Sequence, residues 1–323
     1  MTTNSITQVF SRRTVSKHLE AKKPISLLMA IPDHPWTKAT DDYASVRIAM
    51  TVAVAGRRDG VLREVTREAG LNTDEPNIAL SAKEGRINAD LSVGADVTSA
   101  LSLLANEGLS SPGVKLHGDG FIVTPSEAAV LGLGKRPGLE KHIRNYRNGR
   151  DLMATPRGVM VIDLFGLDAD SVRSKYPEVY QHLSETVRTS RKEQFDRSPT
   201  RDAGEYLARW WIFGKPREQL RPALIGLTRY IATVETAKHR VFVFFNADIL
   251  ADNKLIVIAA DDAFDLGVLS SSVHRQWYFA NAGKLGVYKE DAVYVKSRCF
   301  DPFPFPDCSD ALKDKIRAVA EEM

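Results

Sequence analysis

The chemistry this chain can offer is mainly that of positive charge. Between Lys135 and Arg157 stand seven Lys/Arg residues (135, 136, 141, 144, 147, 150 and 157) against two acids, Glu140 and Asp151. Arg144, Arg147 and Arg150 recur every third residue, with Tyr146 and Asn148 between them. Such a stretch presents planar, multi-donor groups that suit phosphate oxygens. The plainer alternative is a solvated linker. A second surplus, nine basic against five acidic residues, runs from Val187 to Arg221. It is interleaved with Tyr206, Trp210, Trp211 and Phe213, aromatics expected in a core. Lys238-His239-Arg240 sets three donors just before an apolar run, again in a form that suits phosphates. Glu235 nearby is expected either to accept from a cytosine amino group or to pair with Lys238.

Other combinations of chemical residues are weaker. Asp248 followed by Asp252-Asn253-Lys254 faintly matches the metal site of a nuclease. His117 and Asp119 are two possible metal ligands without a third. Gly132-Leu133-Gly134 runs into Pro137 and fits a linker better than a phosphate loop. Cys299 and Cys308 have no companions at metal spacing, so they are expected as reduced thiols of a cytosolic protein.

These groups need elements to hold them. The 323 residues are 43% hydrophobic and 26% charged with a net charge of +3, an ordinary globular balance with room for two cores. No apolar run approaches the roughly 20 residues of a membrane helix, and nothing resembles a signal peptide. A helix is expected near Phe10–Ala21, then strands over residues 25–31 and 46–54. Two or three strands and one helix cannot enclose a core alone. Farther along, helices are expected near residues 98–106, 125–131, 168–188 and 262–277. Strands are expected at 157–163, 229–233, 241–245 and 255–260. The Asp119-Gly120 dipeptide inside residues 113–124 predicts a small hairpin. Ser126 and Glu127 are expected at the start of the helix at 125–131.

Thr3-Asn4-Ser5-Ile6-Thr7-Gln8 resembles the fifth-strand motif of class I adenine methyltransferases of the type IIG/IIL restriction–modification kind, the Mme-like family. Residues 33–36 and 47–52 are similar to the closing strands of that catalytic domain. Four strings (156–167, 210–217, 229–242 and 266–274) and the terminal Arg298-Cys299-Phe300-Asp301-Pro302-Phe303-Pro304-Phe305-Pro306 resemble the target-recognition domain of the same enzymes. Together the resemblance covers residues 1–56 and about 140–310.

The resemblance implies a division of labour. Trp36 would stack on a flipped adenine, with Tyr43 a weaker rival. Residues of the late stretch would choose the base, with Lys289, Glu290 and Asp291 as readers. Lys284, Lys296 and Arg298 would contact phosphates, with Arg144, Arg147, Arg150, Lys238, His239 and Arg240. The family's methyl-donor site needs a Gly-rich turn, and its catalytic loop is Asn/Asp-Pro-Pro-Tyr/Phe. Neither motif occurs in this sequence; Phe303 separates the prolines of Asp301-Pro302-Phe303-Pro304.

The expected fold is therefore an α/β remnant, the last strands of a methyltransferase sheet (1–56). A linker or insert follows (57–139), then an α+β recognition domain (140–310) and a C-terminal helix (311–323). The expected partner is double-stranded DNA. S-adenosylmethionine would be bound only in the complete enzyme, whose catalytic half would lie on another chain or be lost by truncation. The alternatives are a subunit of a split, active methyltransferase, a nuclease and an inactive remnant.

Overall fold

The computed structural model describes residues 1–7, 11–36, 46–71, 73, 75–94, 96, 100–282 and 292–323, and Gly283 and Lys284 through their backbone. The chain divides into two compact units, with the boundary between residues 100 and 101.

In the first unit the helix Arg13–Leu19 (α1) accompanies a five-stranded sheet. Its strands are Thr2–Thr3 (β1), Ile25–Pro35 (β2), Arg47–Ala55 (β3), Gly60–Ala69 (β4) and Asn77–Gly85 (β5). Their order is β1-β3-β2-β4-β5, with β2 parallel to β4 and the other neighbours antiparallel. The apolar runs that predict β2 and β3 bury Leu27, Ala30 and Ala49 with Leu62, and Val15 and Leu19 of α1 pack there too. A Cβ on Gly60 would strike the Leu27 carbonyl oxygen, so glycine lets β4 start directly against β2. Residues 57–139, expected as linker or insert, contain β4 and β5 and cross the unit boundary. Both strands are mostly exposed and rich in charge, so no apolar alternation announces them.

The second unit is built on three small sheets. Its strands are Ser110–Pro112 (β6), Ile122–Val123 (β7), Ile143–Arg147 (β8), Met160–Ile162 (β9), Arg229–Val234 (β10) and Thr236–Ala237 (β11). They continue with Phe242–Asn246 (β12), Ile249–Ala251 (β13), Leu255–Ile258 (β14), Gly283–Lys284 (β15) and Ala292–Val293 (β16). The sheets run β12-β10-β14-β6, β13-β8-β9-β7 and β11-β16-β15, and only β13–β8 is a parallel pair. With the helices between them the unit is a mixed α/β fold. β14 is buried at every position, as its unbroken Leu-Ile-Val-Ile run requires of a central strand. The helices Ala263–Ser270 and Asp310–Glu321 pack closely because Gly267 has no side chain; a Cβ there would lie 2.6 Å from Ile316.

Three local expectations change. The hairpin at Asp119-Gly120 is absent: residues 119–121 form a 3₁₀ turn, and β7 pairs with β9 instead. Gly120 packs against Thr186 and Val187, so tertiary contact outweighs the local turn signal. The helix Pro125–Val130 (α2) is capped by Thr124 rather than Ser126, in a reciprocal box with Glu127. The helices expected over 168–188 and 262–277 are each broken. Pro177 forces Tyr176 out of the helical region. Ser271, extended, caps the following helix by accepting from the His274 N–H at 3.2 Å.

One buried side chain joins the start of this unit to its end. Asn106 Nδ2 donates to the carbonyls of Phe300 (3.2 Å), Asp301 (3.1 Å) and Phe303 (2.9 Å).

Candidate nucleic-acid interface

The three-stranded sheet gathers part of the basic set. Lys238 and His239 are exposed immediately after β11, and β11 pairs with β16, which also pairs with β15 ending at Lys284. Arg147 ends β8 and Arg150 follows in the helix Gly149–Met153 (α3). Asn148 caps α3, its side chain accepting from the N–H groups of Arg150 (2.9 Å) and Asp151 (3.0 Å). Asp151 answers by accepting from the Asn148 N–H at 2.9 Å, so the exposed Arg150 sits on a fixed backbone. Burial opposes the charge of Asp151. Two side-chain bonds from Arg157 and backbone bonds from Arg157 and Asn148 outweigh that and hold the carboxyl down at about 2.

Backbone bonds link the end of β8 and the end of β10 to the turn before β14. The Asp252 N–H donates to the Arg147 carbonyl and the Glu235 N–H to the Lys254 carbonyl, each at 2.8 Å. Exposed Lys254 pairs with Glu235 at 3.1 Å. Arg147, Arg150 and Lys254 thus lie along the strand junction that leads into residues 236–239. Lys254 had not been singled out as a contact; it stands 19 residues from its partner, too far for a local pattern.

Two expected phosphate contacts point elsewhere. Arg144 is committed to the carbonyls of Ala247 (2.6 Å), Asp248 (3.2 Å) and Ile249 (3.3 Å), because β8 runs beside β13 and the turn before β13 offers its oxygens. Arg240 is half-buried. It donates to the Thr233 hydroxyl (3.2 Å) and to the carbonyls of Val234, Glu235 (3.3 Å) and Ala292 (2.9 Å). Its guanidinium also lies 4.9 Å from the ring centre of Tyr294, and burial lowers its basicity. It ties the end of β10 to β16. Lys296 pairs with Asp301 at 2.8 Å, and Arg298 is half-buried beside it on the short helix Lys296–Cys299. Lys289, Glu290 and Asp291 lie outside the described residues, as does Tyr43.

Comparison with known proteins fits this geometry. A family model, the MmeI target recognition domain, matches residues 111–307. The chain belongs to this family. The match starts well before residue 140, so the MmeI-type target recognition domain takes in α2 and the turns around His117. A solved structure of the type IIL restriction–modification enzyme MmeI in complex with DNA is similar over 99% of the chain, with a TM-score of 0.67 at 19% identity. The chain spans 40% of that protein. DNA methyltransferase A of Bacillus subtilis is 34% identical over 77 residues, which are 24% of this chain and 8% of the relative.

The remaining chemical candidates of the MmeI-type domain have structural partners. Asp248 accepts from Asn145 Nδ2 at 2.7 Å. Asp252 accepts from the Tyr146 hydroxyl at 2.6 Å and from the Lys254 N–H at 2.8 Å. They are two separate turns rather than one carboxylate cluster. His117 stacks on Tyr206 with centroids 4.4 Å apart. No group of three or more possible ligands stands together among the described residues. Trp210 and Phe213 are core residues, as their interleaving with charge implied. In the first unit, Trp36 is 38% exposed at the end of β2, its N–H donating to the Val46 carbonyl at 3.0 Å. No helix of the described residues is long and apolar enough to cross a membrane.

Proposed function

We propose that this chain reads a DNA sequence as the recognition part of an adenine-N6 methyltransferase of a restriction–modification system. The observation that carries it is the family match over residues 111–307. Arg147, Arg150, Lys238, His239 and Lys254 are phosphate contacts of this surface, and Lys289, Glu290 and Asp291 are its base readers. The solved relative is in complex with DNA, which supports duplex DNA as the partner.

The first unit is, in this proposal, the closing part of a class I methyltransferase sheet. In its favour, β3 returns antiparallel between β1 and β2, so strands late in the order fill the sheet beside the Thr-Asn-Ser-Ile-Thr motif. Trp36, an exposed ring on a paired strand end, suits stacking on a flipped adenine. The S-adenosylmethionine site and the catalytic loop belong to a separate catalytic half.

Selection from a randomised duplex pool tests recognition directly. The purified chain is expected to enrich one short sequence. Its affinity should fall roughly a thousandfold between about 50 and 200 mM salt, the loss expected for six or more phosphate contacts. Failure to enrich any sequence would refute recognition. Titration with S-adenosylmethionine is expected to give no heat, and methyl transfer by the chain alone would overturn the division of labour.

A further inference from the structure

The first unit holds three arginines that the recognition surface does not use. Arg57 and Arg58 lie in the β3–β4 turn and Arg86 directly follows β5; the three line one cleft of about 260 Å³. The backbone beneath them is pinned. The Gly56 N–H donates to the Pro24 carbonyl at 2.8 Å, with Gly56 at φ +90°. The Ser26 hydroxyl donates to the Gly56 carbonyl at 2.8 Å and accepts from the Arg58 N–H at 2.9 Å. On the other wall, buried Ile87 bridges to Val93 and fixes the chain beside Arg86.

The guanidiniums themselves are exposed, and none forms an ion pair with a described residue. Arg47, in the same sheet, shows the opposite condition: it pairs with Asp33 at 2.8 Å and Glu68 at 2.6 Å. Among the described residues, the cleft wall carries three guanidiniums against one carboxylate, Asp59. Lys22 and Lys23, also exposed, add charge in the segment just before Pro24. Arginine forks match phosphate oxygens in charge and geometry. The volume falls below the roughly 300–1,000 Å³ of sites for drug-sized ligands. Among the described residues that line the cleft there is no aromatic ring to hold a base. A phosphate group fits these features and a whole nucleoside does not.

We propose that this cleft binds a phosphate of the DNA backbone, as an anchor separate from residues 111–307. It rests on the chain being a duplex binder and adds a second contact to that activity. Like other phosphate contacts it supplies affinity without base preference.

The test compares two double variants of the full chain by anisotropy with labelled duplexes. Arg57→Gln with Arg86→Gln removes two cleft charges. Arg63→Gln with Arg67→Gln removes two exposed charges from β4 in the same unit, away from the cleft. The cleft variant is expected to lose about five- to tenfold in affinity for every sequence alike. Its plot of log affinity against log salt should flatten by about 1–2 units. The β4 variant should lose less than about twofold. Lysine at both cleft positions should keep most of the salt slope, and circular dichroism checks that each variant is folded. Equal losses in both variants, or none, would overturn the proposal.

A second arm measures thermal stability in sodium phosphate against sodium chloride at matched ionic strength. Stabilisation by phosphate that the cleft variant loses, with duplex affinity untouched, would mean a free phosphate is the ligand and would overturn the DNA assignment. Duplex binding indifferent to the cleft sinks this proposal alone. A wild-type chain that binds no duplex sinks the recognition function first, and this anchor with it.

Discussion

Arg240 in the second unit and Arg57 in the first carry the same group into opposite circumstances. Arg240 is half-buried, its two terminal guanidinium nitrogens engaged by the Thr233 hydroxyl and the carbonyls of Val234, Glu235 and Ala292. Arg57 stands exposed on a pinned turn with no ion-pair partner among the described residues. Arg144 and Arg221 follow Arg240: Arg221 forks onto buried Asp163 at 2.9 and 3.0 Å, and Arg144 clasps the turn before β13. The lesson is that a basic surplus does not mark a binding surface. What matters is whether the donors are already engaged, and that is settled by which carbonyls and carboxylates the fold brings near.

The largest effect that could break this contrast is at Asp163, whose side chain is 4% exposed. Asp163→Ala leaves Arg221 without its fork partner and is expected to cost about 3–5 kcal/mol in denaturant unfolding. Arg240→Met follows, at about 2–3 kcal/mol, because carbonyls that it satisfied lose their donor. A near-neutral result for either would mean that these arginines are not structural.

A carboxylate without an arginine of its own gives the converse. Burial, helped by neighbouring Asp262, raises Asp265 to about 6 from its ordinary 3.8, while Arg317 is engaged with Asp262. A folded value above the unfolded one means stability is fullest below about pH 4 and is lost as pH climbs through 6. Asp265→Asn is therefore expected to stabilise by about 1–2 kcal/mol at pH 8, after discount for partial solvent access, and to be neutral near pH 4. Melting curves at the two pH values decide it. The smallest stability effect belongs to Arg150→Gln, less than about 0.5 kcal/mol. The same change should weaken duplex binding about three- to fivefold, without altering which sequence is preferred.

Strands with continuous apolar character were legible in the sequence: β2, β3, β10, β12 and β14 all lie within a residue or so of expectation, apart from β2 running on to Pro35. In β10 and β14 burial on both faces leaves that mark. β4 and β5 left none, because most of their side chains face water. The break at Pro177 was visible as chemistry and overridden by the apolar spacing on either side. Of the site, Arg150, Lys238 and His239 lie at the surface as their polarity suggests. Arg144 and Arg240 read identically in one dimension, yet their carbonyl partners are up to 105 and 52 residues away. The Gly56-Arg-Arg-Asp-Gly60 segment went unread as a turn, and only the fold of α1 and β5 shows Arg86 beside Arg57 and Arg58.

Asn106 reaches across 194 to 197 positions of sequence to grip three carbonyls within the four residues 300–303. The excursion between those points is thus closed like a purse by one amide. A nick in any exposed loop inside it would leave two fragments that still travel as one particle until denatured. By the same logic, what lies within the drawstring can diversify while its neck stays put.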